Sequence, residues 1–128
     1  MITVVAAVLE RDGHFLVTRR QDGVHLAGLW EFPGGKIDPG ETHTAALERE
    51  ILEELDATVE VRDLILETAH DYGDVAVRLY FYACVLTGAP RAVLGQEMRW
   101  VPRHELPQLG FPEADAELIR RLTSSATR

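Results

Sequence analysis

The sequence predicts an α+β domain in which a mixed β-sheet lies between helices, an α/β/α sandwich. Strand-length apolar runs outnumber helical segments, and the two helical segments do not alternate regularly with strands, which argues against a Rossmann-type parallel sheet. The 128 residues, 46% of them apolar, suit one domain spanning 1–128 with its own core.

Ile2 to Leu9 is β-branched and apolar and reads as a buried strand. Arg11-Asp12-Gly13 is a turn, and His14 to Thr18 returns as a second strand. Arg19 to Gly28 is polar and loop-like. Trp30-Glu31-Phe32 is a short strand-like piece stopped by Pro33-Gly34-Gly35, and a loop follows from Lys36 to Thr44. A helix is expected from Thr42 or Thr44 to Leu55, with Leu47, Ile51 and Leu55 as one apolar ridge. Thr58 to Thr68 and Val75 to Leu86 form a strand pair around the turn Asp71 to Asp74. Glu97 to Val101 is a last strand, Arg103 to Leu106 a short helix, Glu113 to Leu122 the closing helix, and Thr123 to Arg128 a polar tail.

The formal net charge of −8 argues against a nucleic-acid polymer as partner, which needs a basic face. It leaves nucleotides open, because a metal can carry the positive charge for a phosphate ligand. Met1 to Leu9 lacks a basic start and is too short for a signal or membrane segment, so a cytoplasmic location without membrane contact is expected. Cys84, the one cysteine, sits in an apolar run and reads as a buried thiol.

Glu50, Glu53 and Glu54 stand at i, i+3 and i+4, so all three project from one face of the first helix. Grouped hard oxygen ligands suit Mg²⁺ or Mn²⁺, whereas the plainer reading is a solvated acidic face. Upstream residues decide between them. Gly35, Glu41, Arg49, Glu50, Ile51, Glu53 and Glu54 stand at the spacing G-x5-E-x7-R-E-U-x-E-E, where U is aliphatic. This is the spacing of the Nudix box, and the chain resembles the Nudix hydrolases. The family's box ends in glycine and an aliphatic residue. Asp56 and Ala57 stand there here, and Asp tolerates a left-handed helix cap. Val17 to Arg20, Leu26 to Lys36, Gly95 to Pro102 and Phe111 to Leu122 resemble the MutT-type subgroup, so the likeness covers most of the chain.

The resemblance implies an α/β/α sandwich and Mg²⁺-dependent cleavage of a nucleoside triphosphate to the monophosphate and pyrophosphate. By resemblance, Glu50, Glu53 and Glu54 bind metal with the Gly35 carbonyl, Arg49 orients a box glutamate, and Glu41 anchors the loop. Glu97 is a candidate general base or metal ligand, or else a surface residue before Trp100. Arg20 and Lys36, the only lysine, are candidate phosphate or substrate contacts.

Base recognition is expected near Phe111 to Asp115. The guanine-specific MutT pattern carries Asn near this position, whereas this chain has Asp115, and an ionised Asp only accepts hydrogen bonds, which suits the amino group of cytosine. The CTP and 5-methyl-dCTP pyrophosphohydrolases of the subgroup show Ala-Asp here, while some 8-oxo-purine hydrolases also read the base with aspartates. Phe32, Phe111 and His25 are further candidate base contacts, and Asp115 could equally cap the closing helix. The expected substrate is therefore a cytosine-type or 8-oxo-guanine triphosphate, handled by a monomer or homodimer. The alternatives are another diphosphate-linked substrate such as ADP-ribose, or a non-catalytic binding module, which usually loses the box glutamates.

Overall fold

The computed structural model describes residues 1–24 and 26–125. The chain runs β1 (Ile2–Arg11), β2 (His14–Arg19), β3 (Trp30–Glu31), β4 (Gly34–Lys36), α1 (His43–Leu55), β5 (Thr58–Asp71), β6 (Ala76–Thr87) and β7 (Met98–Pro102). Two 3₁₀ turns, Arg103–Gln108 and Glu113–Asp115, lead into α2 (Ala116–Ser125).

β1 is the hub. It pairs parallel with β6, from Ile2 opposite Val77 to Leu9 opposite Cys84, and antiparallel with β2 and β4. The order is β3-β2-β1-β6-β5, with β7 on β2, so the sheet is mixed as expected. Alternation along β1 divides the interior into two cores. Val5, Ala7 and Leu9 pack with Leu47, Ile51 and Leu55 of α1. Ala6 and Val8 pack with Phe15, Phe81, Leu106 and Leu118 on the α2 side. Helices therefore flank the sheet.

Both ends of α1 carry local chemistry. The Thr42 hydroxyl accepts from the Ala45 N–H at 3.1 Å, satisfying an otherwise unpaired first-turn donor. Asp56 caps the other end in the left-handed region at φ 51°, its N–H donating to the Leu52 carbonyl. Cys84 is buried, and burial pushes its thiol up to about 12.

β5 runs three residues beyond its expected end, to Asp71, and three further elements differ from the sequence reading. Gly34–Lys36, expected to stop a strand, is itself β4, with Val4 opposite Lys36 and Ala6 opposite Gly34. A Cβ at Gly34 would run into the Val5 carbonyl oxygen, so the close approach requires glycine. The closing helix begins as a 3₁₀ turn, Glu113–Asp115, after Pro112, which supplies no side-chain cap. It then continues to Ser125, so residues 123–125 of the expected tail are helical, with Thr123 Oγ1 donating to the Ile119 carbonyl at 2.8 Å. Residues 126–128 lie outside the described residues.

Candidate active site

The site begins with how α1 is seated. The helix turns roughly 100° per residue, so Glu54 falls beside the Leu47–Ile51–Leu55 ridge, Glu50 farther round and Glu53 farthest. Glu54 and Glu50 are both part-buried, the Glu50 side chain being 14% exposed, whereas the Glu53 side chain is 60% exposed. The expected cluster of three glutamates therefore resolves into a part-buried pair with Glu53 outside it. Among the described residues, no three His, Cys, Asp or Glu side chains are grouped to hold a metal ion as they stand.

The pair has unusual electrostatics. Burial pushes the Glu54 carboxyl up to about 9, and its hydrogen bond with Glu50 and the charges of Glu50 and Glu31 add to this. The Gly34 N–H donates to Glu54 and partly opposes the rise. Two carboxylates this close hold a proton between them where a cation would otherwise balance their charge. A Cβ on Gly35 would come within 2.5 Å of the Glu50 carboxyl, so glycine leaves this ground open. Mg²⁺ commonly binds proteins through one or two carboxylates and completes its shell with water and substrate phosphates. Glu50 and Glu54 beside an open glycine strand fit that donor set.

Arg49 organises the rim. Its Nε and Nη2 donate to both Glu41 oxygens at 2.7 and 3.0 Å, Nη1 donates to Glu50 at 2.9 Å, and Nη2 also reaches the Lys36 carbonyl at 3.0 Å. These bonds raise the Arg49 pKa further above its ordinary value, chiefly through Glu41. Reciprocally, Arg49 and then the Asp38 N–H hold Glu41 down to about 2. One guanidinium thus ties the loop before α1, the β4 backbone and a carboxylate of the pair together.

Gly34, Gly35 and Lys36 form one border of a cavity of about 590 Å³. Phe32, Tyr72, Ala114 and Asp115 line the same cavity. Asp115 is 4% exposed, and burial pushes its carboxyl up to about 7, helped by the charge of Glu31 and opposed by Arg20. Near neutrality this group is divided between an acceptor-only carboxylate and an acid that also donates, which revises the acceptor-only expectation. Phe32 is a core residue whose ring also faces the cavity, and Phe111 stacks on it at 5.3 Å.

Arg20 and Glu31 form an ion pair at 2.7 Å in the cavity wall. Burial is the main cause that raises the Glu31 carboxyl. Sequence reasoning missed Glu31, whose signal was a lone acid between Trp30 and Phe32 in a strand-like piece. Glu97 is 53% exposed and pairs with Arg19 at 3.3 Å in an adjacent open groove. Its neighbour Gln96 donates to the Glu54 carbonyl at 3.0 Å, tethering that loop to the last turn of α1. His25, the remaining candidate base contact, lies outside the described residues.

Comparison with known proteins gives one consistent picture. A family model described as NUDIX domain matches residues 4–121. The chain is 36% identical over 124 residues to an 8-oxo-dGTP diphosphatase of Haemophilus influenzae, covering 95% of this chain and 91% of that protein. It is 34% identical over 120 residues to the CTP pyrophosphohydrolase of Escherichia coli, covering 93% and 89%. The solution structure of the Escherichia coli ORF135 protein superposes with a TM-score of 0.86 at 33% identity, covering 100% of this chain and 93% of that one.

Proposed function

The chain belongs to the Nudix hydrolase family as a MutT-like nucleotide pyrophosphohydrolase, and on that premise we propose that its substrate is a cytosine-type or 8-oxo-guanine nucleoside triphosphate, cleaved to the monophosphate and pyrophosphate. The observation that carries this reading is one cavity lined both by the glycine strand, which lies against the Glu50–Glu54 pair, and by buried Asp115. A triphosphate ester with a planar base carries charge at one end and directional hydrogen bonding at the other.

Glu50 and Glu54, with the Gly35 carbonyl, would hold Mg²⁺ or Mn²⁺, and Glu53 would join from the rim. The bound cation polarises phosphate oxygens and makes a coordinated water more acidic. Arg49 fixes the Glu50 carboxylate and the backbone beneath it, so the pair is oriented before substrate arrives. Lys36, directly after the glycine pair, supplies a cation to the phosphate chain. Glu97, on the loop tethered to α1, is the proposed proton acceptor for the attacking water.

Asp115, in the same cavity, meets the base. Cytosine presents an amino donor beside a ring-nitrogen acceptor, and oxidised guanine presents a ring N–H beside a carbonyl. Each is a donor beside an acceptor, and a protonated carboxyl matches either with its carbonyl oxygen and its O–H. Arg20 and Glu31 line the same cavity.

The experiment is a panel of 5-methyl-dCTP, dCTP, 8-oxo-dGTP and dGTP with magnesium, scored by product. Monophosphate and pyrophosphate from the methylated or oxidised nucleotide in preference to dGTP is the expected result. Preference for ADP-ribose, assayed beside the panel, or inertness toward all four triphosphates would overturn the proposal.

A further inference from the structure

We propose that Tyr72 is a positioning residue for base discrimination, its hydroxyl fixing the turn that presents Asp115 to the cavity. This rests on the reading of Asp115 as the base-facing group. The 3₁₀ turn Glu113–Asp115 follows Pro112 and has no side-chain cap of its own. Its orphan Ala114 N–H donates instead to the Tyr72 hydroxyl at 3.0 Å, across 42 residues of chain. Asp115 is the next residue and is anchored on its other side by its N–H to the Pro112 carbonyl at 3.0 Å.

A second grip comes from the same stretch of chain. His70 Nε2 lies 3.2 Å from Glu113, and the His70 and Tyr72 rings are 4.4 Å apart. Two side chains, at i and i+2, thus hold consecutive residues just before Asp115. Tyr72 is held at its own base, its N–H donating to the Val75 carbonyl at 2.8 Å across the β5–β6 turn. Tyr72, Ala114 and Asp115 line the cavity, so a slip of the turn would move the Asp115 carboxyl relative to a bound base. The charge of Asp115 is among the influences that raise the Tyr72 pKa, after burial, which agrees with their closeness.

Tyr72→Phe keeps the ring and removes only the hydroxyl. The measurement is kcat and KM for the best and worst nucleotides of the panel above, in Tyr72→Phe, Asp115→Ala and the double variant. We expect the discrimination ratio in kcat/KM to fall roughly three- to tenfold in Tyr72→Phe, the range one neutral hydrogen bond supports. The fall should appear mainly in KM for the preferred nucleotide, and the double variant should fall no further than Asp115→Ala. An unchanged ratio, an equal loss for both nucleotides, or losses that multiply in the double variant would each overturn the role of Tyr72 while leaving Asp115 as base reader. A ratio unmoved by Asp115→Ala overturns the reading of Asp115 and this inference with it.

Discussion

Burial and neighbouring charge give two carboxyl groups of this protein the clearest proton behaviour. Glu54 is held protonated to about pH 9 beside Glu50 and Glu31. Glu54→Gln replaces that acid with an isostere that needs no proton, so the metal-free variant should melt higher than the parent at pH 8 while turnover falls at least a hundredfold. Calorimetry and a pyrophosphate-release assay check both halves. Glu97→Gln should give the same loss of turnover with an unchanged melting temperature, because its carboxylate is half exposed and pairs with the half-exposed Arg19; undiminished turnover would remove it from the mechanism. Asp115 shows the sign of the pH effect. Its carboxyl titrates near 3.8 when unfolded and about 7 when folded. The native state therefore binds the extra proton between those values, and stability present below pH 3.8 is lost as pH rises through 7. Denaturant midpoints should decline from pH 5 to 8 in the parent and decline less in Asp115→Asn. Of these groups, Glu54 and Asp115 were legible because a motif and a helix boundary point to them. Glu31 was not, since its meaning comes from Arg20 and from carboxylates on other elements, which only the folded sheet brings near.

Among the elements, α1 was the most legible, because its ridge, its Thr42 cap and the acids on its flank all repeat at helical spacing. β4 was not, because glycine disfavours strands and the pairing with β1 is decided by space at Val5 rather than by propensity. The divided fate of the three glutamates follows from the same ridge: spacing puts them on one face, and Glu53, farthest round from Leu47, Ile51 and Leu55, is the one left exposed. Arg49 joins these pieces, and its fork is the feature to test. Lysine keeps the charge but cannot bond both Glu41 oxygens while also reaching Glu50 and the Lys36 carbonyl. Arg49→Lys should lower kcat/KM about ten- to a hundredfold, the usual cost of losing a group that orients a metal ligand. If the role is orientation, more magnesium should recover part of the loss. At the helix end, Asp56→Ala should lose about 1 kcal/mol from the left-handed cap, read from denaturant unfolding.

At the scale of the molecule, an acidic chain concentrates two of its carboxylates where the first core meets the cavity. The net charge of −8 makes any salt stabilising to some degree by screening, so a simple rise in melting temperature with MgCl₂ does not distinguish a site from an atmosphere. Matched ionic strength does. Screening acts alike for NaCl and MgCl₂ at equal ionic strength, whereas a site that binds only the folded chain adds stability that grows with the logarithm of free cation. The parent should therefore melt higher in MgCl₂ than in NaCl at matched ionic strength, with the difference widening as magnesium rises and vanishing on chelation. Because the proton held between Glu50 and Glu54 competes with the cation, the difference should be larger at pH 8.5 than at pH 6.5. Glu50→Gln should abolish it, while Glu60→Gln, a substitution of an exposed acid on β5, should leave it intact. Equal melting in the two salts across that range would mean that the pair does not take up the cation, and the metal site would have to be sought elsewhere on the chain.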